Sequence, residues 1–159
     1  MDLIAGLPRD SFEGFRRSLE GVLEMEPENI TVHTLALKKG SALMERGGSL
    51  PSGAEVAEML DFSREILIQR GYRPYYLYRQ KNIPGNLENV GFSKKGKECL
   101  YNILIMEELH DIIAVGAGTS SKIVHQEDHQ VDRIENLKDI KQYITRIDEI
   151  IHRKELKMI

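Results

Sequence analysis

The chain has 159 residues, 41% of them hydrophobic and 30% charged, with a formal net charge of -3. This length and balance describe an ordinary globular chain with a core of its own and exclude a disordered one. The weakly negative charge gives no reason to expect nucleic-acid binding. No apolar run reaches the roughly 18 residues of a membrane span, and Met1-Asp2-Leu3-Ile4 lacks the basic, apolar and cleavage regions of a signal peptide. The expected location is therefore cytoplasmic, with no membrane contact. Cys99 is the single cysteine. It excludes an internal disulfide and any multi-cysteine metal site built from this chain, and it is read as a small buried hydrophobe.

In chain order, Leu3 to Ala5 read as a short strand ending at Gly6-Leu7-Pro8. Asp10 with Glu13 forms a capping box, and Phe12, Phe15, Leu19, Val22 and Leu23 recur at helical spacing. Ile30 to Leu37 follows as a mostly apolar strand, which completes a parallel strand–helix–strand crossover. After a Gly/Ser-rich loop over 38–53, Ser52 and Glu55 cap a second helix carrying Val56, Met59, Leu60, Ile66 and Leu67, which ends near Arg70 before Gly71. Tyr75 to Gln80 reads as a strand within a tyrosine cluster (Tyr72, Tyr75, Tyr76, Tyr78), and 82–96 reads as a loop. Strands are expected over 100–106 and 111–115, then a glycine turn at 116–121 and a hairpin within 121–135. A last helix is expected over 137–154, capped by Asn136, with Ile140, Ile144, Ile147 and Ile151 as its apolar stripe.

Asp2-Leu3-Ile4-Ala5-Gly6-Leu7-Pro8 with its helix, and Ile30-Thr31-Val32-His33-Thr34-Leu35-Ala36, resemble the last two strands of the radical S-adenosylmethionine barrel. The segment 71–80, Asn89-Val90-Gly91-Phe92, and the turn from Ile113 to Ser121 extend the resemblance over nearly the whole chain. In that order they are similar to the oxygen-independent coproporphyrinogen III oxidase family, in particular its coproporphyrinogen dehydrogenase branch. The resemblance implies an α/β fold: the last part of a partial TIM-like (β/α)6 barrel with a C-terminal α+β extension and an open sheet. Residues 1–53 would hold the last two barrel strands and the crossover helix, and 54–159 an extension packed on them as one compact unit.

The same resemblance places Asp2, Ile4 and Ala36 beside bound S-adenosylmethionine. A carboxylate at the C-terminal end of a parallel strand suits that role, since it accepts hydrogen bonds from an amine or a ribose. The competing readings are a solvated terminal Asp2 and core roles for Ile4 and Ala36. Gly116, Gly118 and Ser120 would stand at the barrel mouth, near substrate, although a Gly-x-Gly turn commonly just needs positive φ. His33 is read as a satisfied structural histidine in preference to a donor to substrate. His125 and His129, four apart, lack a further ligand and read as a solvated turn. Lys94, Lys95 and Lys97, with Arg73 and Arg79, read as a solvated basic face that would nonetheless attract a tetracarboxylate. The tyrosines read as packing with wet hydroxyls rather than as a platform for a porphyrin.

The parent reaction implied is oxidative decarboxylation of coproporphyrinogen III to protoporphyrinogen IX, with S-adenosylmethionine and a 4Fe-4S cluster as cofactors. The cluster rests on a Cys-x3-Cys-x2-Cys loop, which this chain lacks. The sequence is therefore expected to be a C-terminal fragment, inactive alone, that needs an N-terminal barrel half as partner, the parent taking a tetrapyrrole substrate. A bare sheet edge would favour self-association. The alternative from another class is a non-catalytic tetrapyrrole-binding or haem-chaperone-like module.

Overall fold

A computed structural model describes residues 1–36, 49–78, 87–125, 127 and 130–157. The chain divides into two compact units, Met1–Ile103 and Leu104–Ile159. The division thus falls well beyond the 53/54 boundary expected from the sequence.

In the first unit, β1 (Asp2–Ala5) leads through α1 (Phe12–Glu24) to β2 (Asn29–Thr34). The two strands pair in parallel, Asp2 against Thr31 and Ala5 against Thr34, so the expected crossover is present. Then come α2 (Gly53–Gln69), β3 (Arg73–Tyr78) and β4 (Asn89–Ser93). The open sheet has the order β1-β2-β4-β3, with β4 antiparallel to both of its neighbours. Within the region read as a loop over 82–96, residues 89–93 are thus a strand, and a central one. Residues 37–48 and 79–86 lie outside the described residues, including the expected strand ends at Leu37, Arg79 and Gln80.

The local chemistry explains the helices. The cap of α1 is Ser11 rather than Asp10: its hydroxyl accepts from Gly14 N, while Asp10 accepts from Ser11 N. Ser52 and Glu55 make the expected reciprocal capping box on α2. Backbone donation from Ser52 holds the Glu55 carboxyl below its ordinary value. Gly71 terminates α2 at φ +83°, where a Cβ would be strained. Both helices pack their apolar stripes on one face of the sheet, burying Phe15, Leu19, Met59 and Leu67 against Ala5, Ile30, Val32 and Phe92. Phe12 and Phe62 meet edge to face across the helix pair, 5.4 Å between ring centres.

Residues 100–106 form a helix, α3 (Leu100–Glu107), not the expected strand. Cys99, half-buried rather than buried, begins it: its carbonyl accepts from Asn102 N and Ile103 N. In the second unit, 111–115 contributes one isolated bridge, Ile112 to Lys122, instead of a strand. The hairpin is present as β5 (Ser120–Val124) and β6 (Val131–Glu135), antiparallel and in continuous register. The last helix is broken into α4 (Ile140–Thr145) and α5 (Ile147–Glu155). Asp139, not Asn136, caps α4. The expected isoleucine stripe is largely outside: Ile140, Ile144 and Ile151 are exposed and Ile150 is buried instead. The break at Arg146 rotates the helical face, so one register of 3.6 residues does not run through.

Candidate functional site

The sheet of the first unit has two unlike faces, and strand alternation creates both. Leu3 and Ala5 of β1, Ile30 and Val32 of β2, and Val90 and Phe92 of β4 point to the helices. The opposite face carries Asp2, Ile4, Thr31, His33 and Gly91, together with Tyr76 and Tyr78. The register sets Asp2, Thr31, Gly91 and Tyr76 in one row across four strands.

Gly91 makes this face possible. With no side chain there, the ring of Tyr76 lies directly over the β4 backbone. Its hydroxyl then reaches Thr31 Oγ1 on β2 at 3.0 Å. Tyr78 stacks parallel to Tyr76, 6.4 Å between centres and 3° between planes, and Tyr75 meets Tyr76 edge to face. The Tyr78 hydroxyl lies 3.0 Å from His33 Nδ1. His33 Nε2 in turn faces Asp2 Oδ1 at 3.8 Å, inside ion-pair range but beyond a hydrogen bond. A phenol, an imidazole and a carboxylate therefore form a line from β3 to β1. Asn89 of β4 ties the neighbouring strands together: Oδ1 accepts from Thr34 N at 2.7 Å and Nδ2 donates to Tyr78 O at 3.3 Å.

Asp2 opens β1 rather than closing it, so its carboxylate lies on the sheet face and not at the C-terminal strand end. Ile4 is exposed on the same face, opposite His33 in the register. Ala36 is half-buried two residues beyond β2. The structure thus groups Asp2 and Ile4 with His33, which the sequence reading kept as structural, and with Thr31, Tyr76 and Tyr78. Threonine and histidine alternating with Ile30 and Val32 were the signal for a two-faced strand. The tyrosine hydroxyls are bonded, not merely wet, since Asn102 Nδ2 also donates to Tyr75 at 2.9 Å.

Burial pushes the Tyr76 and Tyr78 hydroxyls above the ordinary tyrosine value of 10.0, and Asp2 adds to both shifts. For an acid held protonated by the fold, stability is complete below the unfolded value. It is lost as pH rises through the folded value. Thermal stability should therefore decline above pH 10.0, the unfolded tyrosine value, and more steeply in the parent chain than in a Tyr78→Phe variant. Melting curves of both proteins across that range check this. Equal slopes would mean that Tyr78 ionises as freely folded as unfolded.

The other expected sites resolve differently. Gly116 and Gly118 take positive φ, +104° and +73°. Their amides are engaged within the second unit, Gly116 N with the Tyr143 hydroxyl at 3.0 Å and Gly118 N with Leu137 O at 2.9 Å. Asn136 Nδ2 ties the turn from the other side, donating to Gly116 O and Thr119 Oγ1. These two donors do not point at an anion. Ser120 is exposed, and its hydroxyl turns to the neighbouring Ser121 O at 3.5 Å. Lys94 donates to Glu26 O and lies over Tyr72, and Lys97 pairs with Glu28 at 3.0 Å. His125 pairs with Asp132 at 3.6 Å, while His129 lies outside the described residues. Among the described residues no group of three side chains could hold a metal ion, and no helix is long and apolar enough to cross a membrane.

No protein-family model matches the chain. A comparison with curated proteins finds 43% identity over 150 residues with the oxygen-independent coproporphyrinogen-III oxidase-like protein HemZ of Bacillus subtilis (strain 168). That match covers 93% of this chain and 30% of HemZ. The chain is homologous to the C-terminal part of the oxygen-independent coproporphyrinogen III oxidase family. The heme chaperone HemW of Haemophilus influenzae is 23% identical over 123 residues, covering 77% of this chain and 29% of HemW. Among solved structures, the radical SAM coproporphyrinogen III oxidase HemN of Escherichia coli superposes with a TM-score of 0.61 at 22% identity. The superposition covers 93% of this chain and 33% of HemN, and it shows a shared fold. The chain therefore spans about a third of the length of these relatives.

The cofactors of such proteins fit this chain unequally. A 4Fe-4S cluster needs several thiolates in one place, and Cys99 is the single cysteine. The residues present do not fit that group. S-adenosylmethionine presents an amine and ribose hydroxyls. The acceptor oxygens of Asp2, on a side chain 71% exposed, suit those donors.

Proposed function

We propose that the first unit supplies the closing wall of a radical S-adenosylmethionine barrel, in a cytoplasmic protein that oxidatively decarboxylates coproporphyrinogen III to protoporphyrinogen IX. The carrying observation is the line from Asp2 through His33 to Tyr78 on the sheet face turned away from the helices. In this reading that face is the barrel interior. Asp2, Ile4 and Ala36 contact S-adenosylmethionine, and His33, bonded to Tyr78, faces the Asp2 carboxylate. The cluster-binding cysteines and the remaining strands come from sequence other than these residues. The chain alone is inactive and uses its β1 edge to join that part, or a second copy of itself.

The similarity to HemW supports a second reading, a non-catalytic module that binds tetrapyrrole. Calorimetric titration of the chain with S-adenosylmethionine and, separately, with a porphyrin distinguishes the two. The barrel-wall reading expects weak S-adenosylmethionine binding that Asp2→Asn reduces at least tenfold. Porphyrin binding with no response to S-adenosylmethionine overturns it in favour of the module, and binding of neither ligand removes both.

A further inference from the structure

Tyr78 differs from the tyrosines around it in what its hydroxyl meets. The Tyr72 hydroxyl donates to Pro27 O, that of Tyr75 accepts from Asn102 Nδ2, and that of Tyr76 shares a hydrogen bond with Thr31 Oγ1. None of those partners takes up a proton near neutral pH. Of these four phenols only Tyr78 meets a base, His33 Nδ1, at 3.0 Å. Asp2 Oδ1, 3.8 Å from Nε2, favours the tautomer with the ring proton on Nε2. That tautomer leaves Nδ1 free to accept from the phenol. Burial, with the Asp2 charge adding to it, keeps Tyr78 protonated to above the ordinary tyrosine value. The hydroxyl thus holds its proton at rest, with an acceptor for that proton within hydrogen-bond distance.

We propose that Tyr78 is a redox-active tyrosine, which gives one electron to a carbon-centred radical at this sheet face while its proton passes to His33. A phenol that loses an electron becomes a strong acid, so the ease of its oxidation depends on the base beside it. The O–H bond of Tyr78 breaks and an N–H bond forms at His33 Nδ1, leaving a neutral phenoxyl radical and an imidazolium. The electron goes to the carbon radical, which takes a proton from solvent and ends as a C–H bond. The imidazolium then lies between the phenoxyl oxygen and the Asp2 carboxylate, whose opposite charge stabilises it. That a carbon radical arises here rests on the barrel reading above. The redox property itself rests only on the three side chains.

The test is flash photo-oxidation of the whole chain by ruthenium(III) tris-bipyridine, read by electron paramagnetic resonance. The chain has no tryptophan to compete. A neutral tyrosyl radical should form, with the g-tensor of a phenoxyl that accepts a hydrogen bond, and it should form more slowly in deuterium oxide. Tyr78→Phe should remove that hydrogen-bonded signal. His33→Phe keeps the tyrosine but not the base and should slow its oxidation at least about tenfold. Asp2→Asn, on an exposed side chain, should leave the fold intact and shorten the radical's lifetime at least about twofold. A signal that survives Tyr78→Phe overturns the proposal, as does a radical on Cys99. An oxidation rate unchanged in His33→Phe, or a lifetime unchanged in Asp2→Asn, overturns it independently. A chain that passes this test but binds no S-adenosylmethionine keeps the redox tyrosine and loses the barrel reading, and the converse result loses only the redox tyrosine.

Discussion

A Gly91→Ala chain should melt roughly 4–24 °C below the parent chain. A Cβ built at Gly91 would lie inside the ring of Tyr76, clashing with Cε1, Cδ1 and Cζ at once. Tyr76 cannot yield cheaply. It meets Tyr75 edge to face and Tyr78 in parallel, and its hydroxyl is tied to Thr31. Overpacking of this kind costs about 1–3 kcal/mol and sometimes more. In a unit of this size, each kcal/mol is worth roughly 4–8 °C. Differential scanning calorimetry reads the shift, and a double-mutant cycle assigns it. In a Tyr76→Ala background the same Gly91→Ala change should cost less than about 0.5 kcal/mol. An unchanged melting temperature for Gly91→Ala alone would mean that the ring does not rest on this strand.

The second large effect is expected at Asn89. Its side chain is 1% exposed and spans three strands, accepting from Thr34 N on β2 and donating to Tyr78 O on β3. Asn89→Ala would strand one buried donor and weaken the tether of one carbonyl, each worth about 1–3 kcal/mol. A loss of about 2–4 kcal/mol in urea unfolding is the expected result. The consequence reaches beyond stability, because Tyr78 would lose the bond that sets its strand against His33. Amide exchange at Thr34 and Tyr78 should accelerate together. If Thr34 alone responds, the link from Asn89 to β3 carries no energy.

These two residues also mark where the sequence was legible and where it was not. The segment Asn89-Val90-Gly91-Phe92 carried part of the family resemblance, but it did not look like a strand. It is short, it has a polar first residue, and its central glycine has no intrinsic preference for an extended chain. Only Tyr76, fifteen residues earlier, makes glycine necessary there. The helices α1 and α2 were legible because their apolar stripes are long and periodic, and because Ser52 and Glu55 form a local signal complete in itself. The run from Leu100 to Met106 was not. A short continuous apolar stretch fits strand or helix equally, and it folded as α3. The candidate site divided in the same way. Asp2 and Ile4 were named through the family resemblance alone, whereas His33 lies beside them through the register and meets Tyr78, a partner 45 residues away. The glycine turn shows the converse. Its positive φ angles were readable, but its use of those donors depends on Tyr143 and Leu137, later in the chain.

The strand order gives the sheet a direction of growth. On one flank β3 carries Pro74, which has no N–H to offer, and its register slips between Pro74 and Tyr76. Both features discourage a further strand. On the opposite flank β1 is short and regular, with no proline and no slip. The sheet is finished on one side and still receptive on the other. Whatever joins it by backbone pairing meets Asp2 and Ile4 first, so assembly and ligand contact would share a single border of the molecule.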